Sequence, residues 1–139
     1  MTPPLLVALV GPTASGKSAL ALHLAEALAG EVVSCDALQL RQGLPILMAK
    51  PTQAERERVP HHLIDVLPLT QAGTAARYTE LADAVIAELR RRQRTVILCG
   101  GTGLYLRALT RGLFQGPPAN PAFRQALRAE AQVSSARLR

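Results

Sequence analysis

Leu5-Leu6-Val7-Ala8-Leu9-Val10-Gly11-Pro12-Thr13-Ala14-Ser15-Gly16-Lys17-Ser18 is the stretch that decides the fold. Its first six residues are continuously apolar and too few for a helix, so they read as a strand buried on both faces of a parallel sheet. Residues 11–18 meet every defined position of G-x-x-x-x-G-K-[ST], a loop whose backbone amides cradle phosphate. Beyond it, Leu20, Leu24 and Leu28 fall four apart with Gly30 as a stop, which predicts a helix over 19–28. The loop amides and the positive end of that helix then converge on one anion. Gly11, Pro12, Thr13, Ala14, Ser15, Gly16, Lys17 and Ser18 are the expected phosphate site. Lys17 adds a point charge toward the terminal phosphates, and the Ser18 hydroxyl is placed to hold Mg²⁺.

At 139 residues the chain can bury one modest core. Cys35 and Cys99 close apolar runs in a chain without a secretory signal, and read as buried free thiols of a reducing cytoplasm. The opening apolar run is too short to span a bilayer, so no membrane anchor is expected. The formal charge of +6 is unevenly divided: residues 1–87 hold 6 Lys+Arg against 8 Asp+Glu, and residues 88–139 hold 10 against 2. The second part suits a nucleic acid. It equally suits solvated helix faces, with Arg90, Arg91, Arg92 and Arg94 ending a helix where cations favour the dipole.

Residues 31–36 predict a second strand that ends on Asp36. Residues 37–62, broken by Gly43, Pro45, Pro51 and Pro60, read as a long, partly helical excursion. Residues 62–66 suggest a short strand. Residues 74–92 predict a helix with Tyr78, Leu81, Val85 and Leu89 on one face. A third buried strand at 95–99 runs into Gly100-Gly101-Thr102-Gly103, followed by a short helix at 104–113 and helical composition over 121–139 with Asn120 as its cap. This alternation predicts an α/β fold with a parallel sheet covered by helices on both faces. Ligands collect at the carboxyl ends of such strands, which gathers residues 11–18, Asp36 and residues 100–103 into one cleft.

A carboxylate at Asp36 can take a proton from an incoming nucleophile, or it can simply form a turn. Asp65 fits either a metal-binding acid or a strand-end partner for His61 or His62. The third long strand lacks the terminal Asp or Glu that NTP hydrolysis uses to hold the metal shell and orient water. In that place two glycines admit close approach of a ligand, or only a tight turn, and the Thr102 hydroxyl can hydrogen-bond without charge.

The phosphate loop, Ser34-Cys35-Asp36, Ala49-Lys50-Pro51-Thr52, His61-His62-Leu63-Ile64-Asp65 and Gly100-Gly101-Thr102-Gly103-Leu104-Tyr105 occur in an order and spacing that resemble the tRNA dimethylallyltransferases. The resemblance runs from about residue 5 to residue 130. It implies a P-loop NTPase-like three-layer fold, with residues 1–115 in the catalytic core and residues 116–139 opening a basic helical tRNA-binding insertion. Family members are about twice as long, so a chain truncated before that insertion is complete is expected. The implied reaction moves a dimethylallyl group from dimethylallyl diphosphate to the exocyclic amine of the adenosine 3′ of the anticodon, with Mg²⁺ as cofactor. Asp36 matches the family's general base, and Thr102 matches a position at the substrate nucleotide. Lys17 serves the leaving diphosphate, and Asp36, Ala37, Leu38, Gln39 and Arg124 match positions that touch the tRNA anticodon stem-loop. A cytoplasmic monomer is expected. The chain departs from the family pattern at Ala37 for serine, Arg41 for tyrosine, Pro45 for aspartate and Leu47-Met48 for Gly-Thr. Two other readings share the opening motif: a small-molecule kinase, and a fragment that binds nucleotide or RNA without catalysis.

Overall fold

The computed structural model describes residues 4–43, 46, 48–114 and 116–133; Pro45, Leu47 and the end of the last predicted helix, residues 134–139, lie outside them. In chain order the elements are β1 (Leu6–Val10), α1 (Lys17–Ala27), β2 (Gly30–Ser34), α2 (Gln53–Arg58), β3 (His61–His62), α3 (Ala75–Arg91), β4 (Thr95–Gly100), α4 (Gly103–Arg111) and α5 (Pro121–Val133). The four strands form one parallel sheet in the order β1-β4-β2-β3.

Parallel strands need cover on both faces, and alternate side chains supply it here. Val32 and Ile97 face α1, where Ala21, Leu22 and Ala25 pack with Val59. Val33, Val96 and Leu98 face the other way, onto Tyr78, Ala82, Ile86 and Leu89 of α3 and Tyr105 of α4. The result is the expected three layers, with β4 and β2 at the centre. Cys35 and Cys99 are free thiols in opposite core clusters, and burial raises the pKa of both, so neither is a ready thiolate.

Four expectations change. β1 lies at the sheet edge, not between two neighbours, so Leu6 and Val10 are 38% and 53% exposed. In α1, Ala21, Leu22 and Ala25 meet the sheet, while Leu20 is half exposed: small residues bring the helix close and turn the leucine stripe aside. Gly30 does not stop α1. Ala29 takes the left-handed position (φ 49°), and Gly30 opens β2, where a Cβ would lie 2.7 Å from the Thr95 carbonyl oxygen. The strand expected over 62–66 is only His61–His62, because Leu63 and Asp65 adopt left-handed φ values of 61° and 58° that end the extended run.

Away from the strand ends that form the site, β2 is anchored by Glu31, which is 2% exposed. Arg92 grips its carboxylate with two bonds of 2.9 and 3.1 Å, and His62 Nε2 lies 2.6 Å away. Burial pushes the Glu31 pKa up, but hydrogen bonds and charge from Arg92 and His62 outweigh it and hold the group below its ordinary 4.5. Glu31→Ala should therefore lower stability in urea at pH 7 by about 1–3 kcal/mol. A carboxylate with a depressed native pKa stabilises fully above its unfolded value and loses that contribution as pH falls through the native one. The gap between variant and parent should accordingly close in acid; a gap independent of pH would show that the charge is not what matters.

Candidate active site

The loop between β1 and α1 turns on two left-handed residues, Ala14 (φ 61°) and Gly16 (φ 84°), and Gly16 caps α1. These turns curl the chain around the helix N-terminus, whose first-turn amides have no acceptor within the helix. The Lys17 ammonium donates to the Pro12 carbonyl oxygen and lies 3.2 Å from Ser15 Oγ, and Ser15 Oγ donates to Pro12 O at 2.8 Å. Lys17 thus lines the cleft with its ammonium folded back onto the loop.

Next to the loop, the ends of β4 and β2 are fused. Cys35 N–H donates to Cys99 O (2.8 Å), and Thr102 N–H donates to Cys35 O (3.2 Å). Ala37 N–H then donates to Thr102 Oγ1 at 3.0 Å. A Cβ on Gly100 would sit 2.1 Å from Cys35 O, so glycine is required there by the neighbouring strand. Gly101 does face the phosphate loop, with a Cβ position 3.4 Å from Gly11 O. The fusion sets Asp36 across from the loop. One oxygen of its carboxylate, Oδ1, accepts from Leu38 N (2.8 Å) and Gln39 N (3.3 Å); Oδ2 has no protein donor among the described residues. Asp36 therefore forms the turn and keeps Oδ2 without a protein donor among the described residues.

A cleft of about 340 Å³ joins these parts. It is lined by Thr13, Ala14, Lys17 and Ser18 of the loop and α1 and by Asp36, Gln39, Gly100 and Gly101 at and beyond the strand ends. Ala21, Leu22, Val32 and Ile64 give it an apolar recess, which His61 and Glu55 border. Burial lowers the His61 pKa against an opposing bond from Nδ1–H to Val59 O (2.7 Å), so this ring is neutral at pH 7. Glu55 is held ionised by backbone and side-chain bonds from Thr52 in the capping box that starts α2.

Six of the fourteen expected residues line this cleft, Thr13, Ala14, Lys17, Ser18, Asp36 and Gln39, and the others do not. Gly11, Pro12, Ser15 and Gly16 shape the loop; Ala37 and Thr102 join the strand ends; Leu38 is 57% exposed beside them. Gln39 lines the cleft with both ends of its amide engaged, by Ser34 Oγ and Ala49 O, each at 2.9 Å. Arg124 is elsewhere. It lines a shallow hollow with Pro117, Pro118, Asn120 and Phe123 on α5, a helix with no buried residue, although Asn120 caps it as expected by accepting from Phe123 N at 3.0 Å. Asp65 is neither a metal acid nor a histidine partner: its carboxylate binds Lys50 and Arg56, which lower its pKa against the effect of burial. No cluster of three His, Cys, Asp or Glu side chains suited to a metal occurs among the described residues.

Three contributors escaped the sequence reading. Ser34 and Lys50 belong to motifs that carry the family resemblance, but no role was assigned to either. Tyr78 was assigned to the core face of α3, yet its hydroxyl donates to Ser34 O at 3.0 Å while its ring stacks on Tyr105 at 4.3 Å. The phenol holds the last carbonyl of β2, directly behind the acid.

The IPP transferase family profile matches residues 39–139. The chain is 49% identical to the tRNA dimethylallyltransferase of Koribacter versatilis, over 95% of this chain and 43% of that protein. It is 51% identical to the tRNA dimethylallyltransferase of Geobacter metallireducens, over 91% of this chain and 41% of that one. Among solved structures it resembles the full-length tRNA isopentenylpyrophosphate transferase from Bacillus halodurans, with a TM-score of 0.76 and 40% identity across 94% of this chain and 43% of that chain. A eukaryotic dimethylallyltransferase acting on tRNA gives a TM-score of 0.76 at 26% identity, across 92% and 33%. The chain spans less than half the length of these relatives.

The fused strand ends make a direct prediction. Gly100→Ala should cost about 1–3 kcal/mol by overpacking against Cys35, whereas Gly103→Ala, whose Cβ would meet nothing within 4 Å, should be tolerated. Urea midpoints for the two variants test this; equal midpoints would mean the β2–β4 junction relaxes freely.

Proposed function

The chain belongs to the IPP transferase family, and on that premise we propose that its cleft transfers a dimethylallyl group from dimethylallyl diphosphate to the exocyclic amine of the adenosine 3′ of a tRNA anticodon. The observation that carries the reading is the pairing of one carboxylate, Asp36, with a phosphate loop across a cleft whose central strand ends in glycine. An acid there would favour water as nucleophile.

The loop amides and Lys17 hold the diphosphate, and the five-carbon tail lies along Ala21, Leu22, Val32 and Ile64. The amine nitrogen bonds to the allylic carbon as the C–O bond breaks, and diphosphate departs with the bonding pair. Asp36 Oδ2 takes the proton the amine releases. Lys17 and the helix N-terminus stabilise charge that grows on the leaving group. The Thr102 hydroxyl, whose oxygen already accepts from Ala37, keeps its proton free to donate to the nucleotide. Ser18 Oγ fits Mg²⁺, because it lines the phosphate side of the cleft with no protein partner among the described residues and Mg²⁺ takes few protein ligands beside phosphates and water. When bound there, Mg²⁺ supplies further charge neutralisation at the diphosphate.

A base stacked in an anticodon loop must be extruded to reach such a cleft. Arg90, Arg107, Arg111, Arg124 and Arg128 are exposed and form no ion pair among the described residues, so they are available to RNA phosphates. We assign the protein to the cytoplasm, as a monomer. No helix among the described residues is long and apolar enough to cross a membrane.

Incubating the chain with dimethylallyl diphosphate, Mg²⁺ and an unmodified anticodon stem-loop tests the reading: prenylated RNA supports it, ATP-dependent phosphorylation would favour a kinase, and binding without product a non-catalytic fragment. Asp36→Asn should leave diphosphate affinity intact while lowering transfer by about 10²- to 10⁴-fold, and unchanged turnover would remove Asp36 from its role. Lys17→Ala should weaken pyrophosphate binding measured by calorimetry; equal affinity in both proteins would refute the loop as the phosphate site.

A further inference from the structure

Lys50 is the buried cation of the cleft wall, with a side chain 1% exposed. Its three ammonium protons have three acceptors: Arg41 O at 2.5 Å, Gly43 O at 2.6 Å, and the Asp65 carboxylate. A lysine so engaged has no proton left for a phosphate, although its stem lines the cleft. Its effect falls on the chain around it. The preceding residue, Ala49, is held in a left-handed conformation (φ 47°) and presents the carbonyl that accepts from Gln39 Nε2; Gln39 Oε1 in turn accepts from Ser34 Oγ. On the other side, Asp65 is also left-handed and donates its N–H to Gln39 O at 3.0 Å, while Val66 N–H and Leu67 N–H both donate to Leu40 O. Gln39 is therefore held at its side chain and its backbone by the two residues that Lys50 joins. Gln39 N–H and Leu38 N–H are the donors that fix Asp36.

Backbone in sparsely populated regions persists only where the surroundings over-determine it. Here that surrounding is one ammonium group bridging residues 41–43, 49–50 and 65. We propose that Lys50 is a positioning residue for the transfer reaction: with Asp65, it locks the turn at residues 36–42 so that the Asp36 carboxylate is held across from the phosphate loop. This rests on the reading of Asp36 as the base.

Lys50→Met preserves the buried stem and removes the three bonds. With the same chain, dimethylallyl diphosphate and stem-loop, kcat should fall about 10- to 100-fold, the scale of a misplaced catalytic group. KM for dimethylallyl diphosphate should stay within about 2-fold, because the phosphate loop is untouched. Amide exchange should quicken at Leu38, Gln39, Asp65, Val66 and Leu67 and stay unchanged at Val96, Ile97 and Leu98 in β4. Should Lys50→Met not fold, Asp65→Ala, which removes one acceptor from a half-exposed position, should give the same pattern with a smaller loss. An unchanged kcat, a matching loss of diphosphate affinity, or faster exchange throughout β4 would each overturn the proposal. If the unsubstituted chain forms no product, the functional reading fails for it, and the exchange pattern alone still decides whether Lys50 locks the turn.

Discussion

At the carboxyl ends of β2 and β4, Cys35 and Ala37 are tied to Cys99 and Thr102 by three hydrogen bonds, over a gap that only Gly100 makes narrow enough. Everything chemical in the molecule depends on this junction. β1 reaches the sheet through β4 alone, so the phosphate loop that follows β1 is placed relative to β4. Asp36 follows β2 and is placed relative to β4 as well. One short seam thus relates the loop of residues 11–18 to Asp36, 18 residues beyond its end in sequence. Behind it, the Tyr78 hydroxyl holds the Ser34 carbonyl and the Tyr105 ring backs Tyr78, so the seam rests on aromatic packing in place of solvent.

Charge follows the same division of labour. The basic second part of the chain is partly spent inside the molecule: Arg92 and Arg94 neutralise Glu31, and Arg91 pairs with Glu88. Arg90 on α3 and the arginines of α4 and α5 are exposed and form no ion pair among the described residues. The last two helices differ in anchorage. α4 is fixed by buried Tyr105 and Ala108, whereas α5 buries nothing and exposes Phe123 and Val133. Arginines on the first are presented by the core itself; those on the second lie on a helix whose apolar face has no cover among the described residues.

The parts of this arrangement that were legible in the sequence are those with a period or a motif. The phosphate loop, the three long strands, the amphipathic α3 and the Asn120 cap all express local rules, and each is found within a few residues of its expected bounds. The convergence of the loop, Asp36 and Gly100-Gly101 on one cleft followed from parallel topology alone; Thr102 and Gly103 do not line it. Tertiary contacts decide what remained hidden. Continuous apolar sequence at β1 could not tell a central strand from an edge one. Residues 62–66 looked extended, but the left-handed φ of Leu63 and Asp65 ends the strand at His62. Gly100 was read as room for a ligand or a turn, and it is instead room for the next strand. Lys50 stood in a recognisable motif, but its burial was not legible because it depends on acceptors brought together from residues 41, 43 and 65.

The central claim is that one seam between β2 and β4 presents an anion site and a base to the same cleft. Its most direct measurement is an amide chemical-shift titration of the chain with pyrophosphate and Mg²⁺. The account predicts saturable shifts at residues 11–18 together with Gly100, Gly101, Asp36 and Ala37, at one common affinity. Shifts confined to the basic residues of α5, or loop shifts that leave Asp36 and Ala37 unmoved, would contradict it.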